Sequence, residues 1–337
     1  MPLSILALTT ATFNTDELQQ VRAVAPDATI THRLARDWES VPRELWANLD
    51  VLYTVDPLPD PALAPRLRWV QLHFAGVEDV VTSQLARTVP ITNASGVHAT
   101  QIAEWTLAAI LAHSRKLSLA FSLQQRHEWP KDRWGLFVPT ELRGATVGVV
   151  GYGAIGREIG RLCSAFGMNV IGLRRGPSND PTRPRWAPPE LRALPPAPAR
   201  IESTTALPDV LPECDVVVLA LPLTATTRGL FDAGLLARMR PGALLVNIGR
   251  GGVIDEPALI AALAKGRPGA AALDVFAAEP LPAESPLWDA ANVQITPHVS
   301  GFSPRYDARA TSLFAENLDR FLKGEPLFNR VDVAAGY

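Results

Sequence analysis

Short apolar runs alternate with amphipathic stretches along most of this chain, and that alternation predicts its fold. Runs at 4–8, 28–32, 51–55, 69–73 and 91–93 have the length and the Val, Ile and Leu content of strands. Amphipathic stretches such as 15–24 separate them. Strands alternating with helices imply a mostly parallel sheet covered on both faces. A stretch from Gly96 to Lys116 is apolar almost all round and is expected to be a buried helix that crosses out of the first domain. The Trp-, Pro- and charge-rich segment 124–136 reads as a surface excursion.

The second half repeats the alternation. Strands are expected at 146–150, 169–173, 214–222, 243–249, 271–275 and 293–296, which makes six. A helix near 232–239 and another at 256–265 lie between them, the latter with Asp255 as N-cap and Gly266 at its end. A last helix runs to Gly324, with Ser303 expected as N-cap and Pro304 in its first turn. Leu313, Phe314, Leu318, Phe321 and Leu322 mark its buried face, expected to return against the first domain. Between the halves of this pattern, 176–200 holds eight prolines and few apolar residues. It is expected to form neither a regular helix nor a central strand. It reads as a solvated loop or as a flap over one end of a cofactor.

The stretch 146–175 carries the most chemistry. A valine-rich run leads into Gly151, Gly153 and Gly156, spaced G-x-G-x-x-G, and then into a helical pattern with Ile155, Ile159, Leu162 and Phe166 on one face. Strand, glycine turn and helix in that order form a dinucleotide-binding turn. The first glycine allows the turn, the second lets backbone approach a pyrophosphate, and the third lets helix and strand pack closely. An ordinary βαβ turn with incidental glycines is the plainer reading. The end of the following strand selects the cofactor. An Asp or Glu there, ~20 residues after the motif begins, would bond a ribose 2′-OH. This chain has Arg174 and Arg175 instead. Two guanidinium groups suit a 2′-phosphate and favour NADPH, with NADH the second choice; two solvated arginines are the plainer alternative.

Composition changes the picture only by exclusion. At 337 residues the chain is long enough for two domains. A formal charge of −2 disfavours a generic nucleic-acid binder. Cys163 and Cys214 are far apart and form no metal or redox motif, which fits a reducing compartment. The N-terminal MPLSILALTT lacks the basic start of a signal peptide, and no apolar run approaches the ~20 residues that span a bilayer. A cytoplasmic protein with no bound metal is expected.

Three strand ends then stand out: 247–252 (NIGRGG), 274–280 (DVFAAEP) and 296–301 (TPHVSG). Ligands bind at the carboxyl ends of strands in open α/β sheets. The three segments supply Arg250, Glu279 and His298. An arginine can hold a carboxylate and polarise a carbonyl. A histidine can protonate the carbonyl oxygen as hydride arrives, and a glutamate can fix that imidazole and favour its protonated form. These types suit reduction of a 2-keto acid. Singly, Arg250 also reads as a surface arginine, Glu279 as a turn residue and His298 as a hydrogen-bonded histidine after a strand. The segment 73–77 (HFAGV) follows a strand too, with small residues that leave amides open, or it is a simple turn.

Taken together, GYGAIG, LPLTATTRG, NIGRGGVID, ALDVFAAEP and TPHVSG resemble, in order and spacing, the signatures of the D-isomer-specific 2-hydroxyacid dehydrogenases. AGVED and the IAEW helix extend the likeness over most of the chain. The resemblance implies an α/β protein: a doubly wound parallel-sheet (Rossmann) cofactor domain, 99–300, inserted in a smaller flavodoxin-like substrate domain, 1–98 completed by 301–337. It implies His298 as acid/base, Glu279 as its partner and Arg250 as ligand of the substrate's carboxylate and carbonyl. Ala75 and Gly76 would hold the other side of the carboxylate. Asp274 matches the residue that contacts the nicotinamide amide, and Leu221, Pro222 and Thr227 match the loop along the cofactor. Ala154, Ile155, Ile248, Gly249 and Thr100 complete the expected cofactor residues. Family members usually dimerise through the cofactor domain. Arg174, where most members have Asp, looks like the NADPH-dependent glyoxylate/hydroxypyruvate reductase branch. The lack of a further C-terminal regulatory domain speaks against long phosphoglycerate dehydrogenases. A dinucleotide-sensing regulator and a phosphite dehydrogenase are the rival expectations.

Overall fold

The computed structural model describes residues 2–336 apart from 11–12, 56–57, 177–183, 196, 198 and 291. The chain divides into two compact units, Met1–Val97 with Pro177–Leu194 and Ser303–Tyr337, and His98–Gly176 with Pro195–Phe302.

The first unit contains β1 (Ser4–Thr9), β2 (Thr29–Leu34), β3 (Val51–Thr54), β4 (Trp69–Leu72) and β5 (Ile91–Thr92). They form one parallel sheet in the order β2-β1-β3-β4-β5. That is the flavodoxin-like order. β1, β3 and β4 are buried on both faces, which is why they read as continuous apolar runs rather than alternating ones. Helix Thr15–Val24 starts at a capping box, in which Asn14 Oδ1 accepts from Glu17 N and Glu17 Oε2 accepts from Asn14 N. The C-terminal helix, Tyr306–Lys323, lays Phe314 and Leu318 against Ile5, Tyr53 and Trp69. Tyr53 and Phe314 stack with ring centroids 4.6 Å apart.

The second unit contains β6 (Thr146–Val150), β7 (Asn169–Arg174), β8 (Ala199–Ser203), β9 (Val216–Leu219), β10 (Leu244–Asn247), β11 (Ala270–Leu273) and β12 (Val293–Ile295). All pair in parallel, in the order β12-β11-β10-β9-β6-β7-β8. The order reverses beside β6, and at such a switch point open α/β sheets bind their ligands. Val147, Val149, Val218 and Val246 pack on one side beneath Ile102, Ile110 and Ile159. Val217, Leu219 and Leu245 pack on the other with Phe231, Leu236 and Leu259. Both thiols are buried, and burial pushes Cys163 and Cys214 up to about 12.

Several expectations change. Phe166 and Leu322, expected on buried helix faces, are 44% and 49% exposed. The sheet has a seventh strand, β8, which begins where the proline-rich segment ends. The prolines stop at position 198, and β8 lies on the sheet edge, where the demands on a strand are weakest. Arg200 clamps it with two bonds to Glu213, at 2.7 and 3.0 Å. The described residues 184–194 belong to the first unit, not to the cofactor domain. Trp186 is fully buried there; Asn329 Oδ1 accepts from its backbone amide and Glu316 Oε1 from its indole. The flap reading falls partly on 177–183, outside the described residues. Helix Ala99–Ser114 is not buried all round: Ile102, Ala103, Ala109 and Ile110 pack inward while Glu104 and Ala108 are exposed. Lastly, Ser303 does not cap the last helix. Its Oγ accepts from Arg305 N in a turn that precedes the first helical residue, Tyr306.

Replacing Trp186 with Ala removes a buried indole and leaves a cavity, so it should cost about 3–5 kcal/mol in urea unfolding. A loss below about 1 kcal/mol would show that the 184–194 segment does not support the first unit.

Candidate active site

In the second unit, β6 ends at Gly151, whose φ is +100°. A Cβ there would lie 2.5 Å from Ala220 O, so only glycine lets the turn pass this close to the end of β9. Gly153 is extended and begins helix Ala154–Ala165, with no side chain capping it. A Cβ on Gly153 would meet nothing within 4 Å, whereas one on Gly156 would meet Gly151 O at 2.4 Å. The second glycine thus faces open space, and the third allows close helix–turn packing. The uncapped first turn, with Ala154 and Ile155, presents amides to an anion. Tyr152 points inward and its ring occupies the space left by Gly160 and Gly172.

Neighbouring strand ends converge on this turn. Ala220 N donates to Val150 O. Leu221 and Pro222 follow, and Thr227 Oγ1 donates to Pro222 O at 2.7 Å while accepting from Thr224 N at 2.8 Å, which braces the loop. Gly249 approaches Leu221 closely: a Cβ would lie 2.5 Å from Leu221 O. Ile248 is buried in the core. Arg174 is half-buried at the end of β7, and Arg175 beside it is exposed. Thr100 sits in the first turn of helix Ala99–Ser114, and its buried Oγ1 has no partner among the described residues. A cradle of open glycine backbone, an uncapped helix start and an unpartnered hydroxyl fit a dinucleotide. Gly151, Gly153, Gly156 and the first-turn amides would hold its pyrophosphate.

The three candidate catalytic residues come from successive strand ends. Asn247, fully buried at the end of β10, accepts from Gly249 N and donates through Nδ2 to Arg250 O. It bends the chain so that Arg250 leaves the sheet, with Nη1 donating to Gly249 O at 2.9 Å. A Cβ on Gly251 would sit 1.8 Å from the Phe276 carbonyl carbon, so this glycine brings the Arg250 loop against the Glu279 loop. Glu279 Oε1 accepts from Phe276 N, and its Oε2 lies 2.8 Å from His298 Nδ1. Burial pushes the Glu279 carboxyl up. The bonds from His298 and the Phe276 amide, with the charges of His298 and Arg250, outweigh this and hold it below the usual carboxylate range. An ionised Glu279 fixes the proton on Nδ1 and leaves Nε2 for a substrate.

His298 is held in the left-handed region at φ +54°, an uncommon conformation for a side-chain-bearing residue. Its amide donates to Asp274 O at 2.8 Å. The Asp274 side chain, with no exposure, accepts from Thr296 Oγ1 at 2.5 Å, Val299 N at 3.0 Å and Ser300 N at 2.9 Å. Asp274 therefore organises the histidine loop. Asn247, Thr296 and Ser300 act as braces that sequence reasoning missed; their only signal is a polar residue where a buried strand ends. In the first unit, Ala75 and Gly76 are half-exposed after β4, and neither amide has an acceptor among the described residues.

Two outcomes are expected. Gly153→Ala should change apo stability by no more than about 1 kcal/mol yet weaken NADPH binding at least tenfold; unchanged affinity in a fluorescence titration would remove Gly153 from the cofactor site. Glu279 is ionised across the neutral range, and its carboxylate lies against His298 Nδ1. Glu279→Gln removes that charge and should lower keto-acid turnover by about tenfold or more at neutral pH with NADPH binding intact; unchanged turnover would sink the pairing.

Residues 107–300 match the model of the D-isomer specific 2-hydroxyacid dehydrogenase NAD binding domain. A D-3-phosphoglycerate dehydrogenase from Mycobacterium bovis is 36% identical over 276 residues, 82% of this chain and 49% of that protein. The chain thus spans about half the length of such relatives. A glyoxylate reductase from Aeropyrum pernix is 36% identical over 267 residues, covering 78% of this chain and 75% of the relative. Among solved structures, a D-isomer specific 2-hydroxyacid dehydrogenase from Xanthobacter autotrophicus Py2, in complex with NADPH and MES, superposes with a TM-score of 0.82 at 29% identity over the full length of both chains. An NADPH-dependent glyoxylate/hydroxypyruvate reductase from Sinorhizobium meliloti, in complex with NADP and sulfate, gives 0.79 at 29% identity, covering 99% of this chain and 100% of that one. The glycine turn, the three strand-end loops and these matches agree: the chain belongs to the D-isomer specific 2-hydroxyacid dehydrogenase family.

Proposed function

We propose that this protein reduces small 2-keto acids to D-2-hydroxy acids with NADPH, glyoxylate and hydroxypyruvate being the first candidates. The observation that carries the reading is the 2.8 Å contact between His298 Nδ1 and Glu279, with the Arg250 charge acting on the same carboxylate. NADPH, when bound, supplies a hydride. Arg250 holds the carboxylate of the keto acid and polarises its carbonyl with a planar fork of donors. His298 Nε2 gives a proton to the carbonyl oxygen, so that C=O becomes CH–OH. Glu279 offsets the positive charge of the imidazolium before the proton leaves. The open amides of Ala75 and Gly76 are assigned to the substrate carboxylate.

Arg174 and Arg175, where an acidic residue would bond a ribose hydroxyl, support NADPH over NADH. The Xanthobacter and Sinorhizobium structures hold NADPH and NADP respectively. We assign the assembly as a homodimer through the cofactor domain. Phe121, Trp129, Trp134 and Val138, in one segment of the second unit, are large apolar side chains left 59%, 85%, 78% and 62% exposed, which supports that assignment.

Initial rates with glyoxylate should be at least tenfold higher with NADPH than with NADH at equal subsaturating concentration, and Arg174→Asp should reverse the preference. Faster turnover with NADH would keep the reaction and overturn the role of the arginines. Oxidation of 3-phosphoglycerate with no keto-acid reduction would move the substrate to that of the mycobacterial relative. Replacing His298 with Ala should lower turnover by about 100-fold or more with NADPH binding intact; unchanged turnover would exclude it as the acid.

A further inference from the structure

The loop 73–76 in the first unit is held by its carbonyls. Tyr306 donates its hydroxyl to His73 O. Ala94 N donates to Phe74 O at 3.1 Å, and Asn93 Nδ2 donates to Ala75 O at 2.9 Å. A trans peptide is planar, so the N–H of each residue points opposite to the carbonyl before it. The carbonyls of Phe74 and Ala75 are taken by two adjacent residues, Ala94 and Asn93, and so face the same side. The amides of Ala75 and Gly76 then face the other side together. Successive amides that converge in this way form an anion-binding nest.

The donors that set this arrangement are themselves fixed. Asn93 is 7% exposed. Its Oδ1 accepts from Ser95 N, its backbone amide donates to Asn329 O, and its carbonyl accepts from Asn329 Nδ2. Asn329 Nδ2 also donates to Ser95 O at 2.7 Å, and Asn329 Oδ1 accepts from Trp186 N. Tyr306 packs edge-on against the His73 ring, centroids 5.1 Å apart. That ring is pinned between Tyr53 Oη at 2.6 Å from Nδ1 and Asp307 Oδ1 at 3.2 Å from Nε2. His73 and Tyr53 are buried, so the imidazole anchors the loop from below.

We propose that Asn93 and Tyr306 are positioning residues: they aim the Ala75 and Gly76 amides at the carboxylate of the keto acid without touching it. Asn93 orients the Ala75–Gly76 peptide directly, and Tyr306 fixes the peptide at which the loop leaves β4. The inference rests on the keto-acid reading above. Its consequence is selective. Loss of either hydrogen bond lets the nest turn, which weakens the grip on a carboxylate and leaves the proton-donating pair of the second unit as it is.

The test is steady-state reduction of glyoxylate at saturating NADPH by the full-length wild type, Tyr306→Phe and Asn93→Ala. Each variant should raise KM for glyoxylate about fivefold to tenfold, the effect of one misdirected hydrogen bond. The value of kcat should stay within about twofold, and the NADPH dissociation constant should not move. Tyr306→Phe keeps the ring packing, so it decides the matter if Asn93→Ala does not fold. A wild-type KM in an active Tyr306→Phe overturns the positioning role, as does a fall in kcat at unchanged KM. A wild-type protein that reduces no 2-keto acid overturns the parent reading, and this one with it, a result distinct from silent variants of an active enzyme.

Discussion

A buried side-chain carboxylate at the end of β11 holds the site together. Asp274 has no exposure, and a charge placed there without partners would be costly. Three donors from 296–300 surround it, and its own carbonyl takes the His298 amide. The same four bonds that satisfy Asp274 hold His298 in a conformation that costs of order 1–3 kcal/mol. Strain at the histidine and burial of the aspartate are thus two sides of one arrangement.

The neighbouring strand ends use milder versions of the device. Asn247 turns β10 into the Arg250 loop with its side-chain amide, and Thr227 stitches the loop after β9 with its hydroxyl. Between these braces the backbones come very close. Gly151 lies against Ala220, Gly249 against Leu221 and Gly251 against the Phe276 carbonyl. Glycine makes the approach and a buried polar side chain holds it. The result is a row of braced loops that carry Arg250, Glu279 and His298.

The parts of this design differ in how legibly the sequence carries them. Strands buried on both faces, such as β1, β3, β4, β9 and β10, appear as apolar runs and can be read directly. The glycine turn is legible because Gly151 and Gly156 each answer a separate steric demand while Gly153 leaves space open. Edge strand β8 is not, because its stability comes from pairing with β7 and from the Arg200–Glu213 clamp rather than from its own apolar content. Residues 184–194 are equally hidden. Their order depends on one buried tryptophan and on partners more than 100 positions away, Glu316 and Asn329. Arg250, Glu279 and His298 are readable as types suited to one reaction. The braces Asp274, Asn247 and Asn93 act through local geometry, and a polar residue at a strand end does not announce which amides it will hold.

In the proposed reaction, hydride reaches the carbon of a 2-keto acid while His298 supplies the proton. The most direct measurement is a single turnover of glyoxylate with NADPH carrying deuterium at C4 of the nicotinamide, followed by mass spectrometry of the product. The proposed reaction yields glycolate with one deuterium bound to carbon from one of the two C4-labelled forms and none from the other. Glycolate without label from either form, or no NADPH oxidation at all, would contradict it.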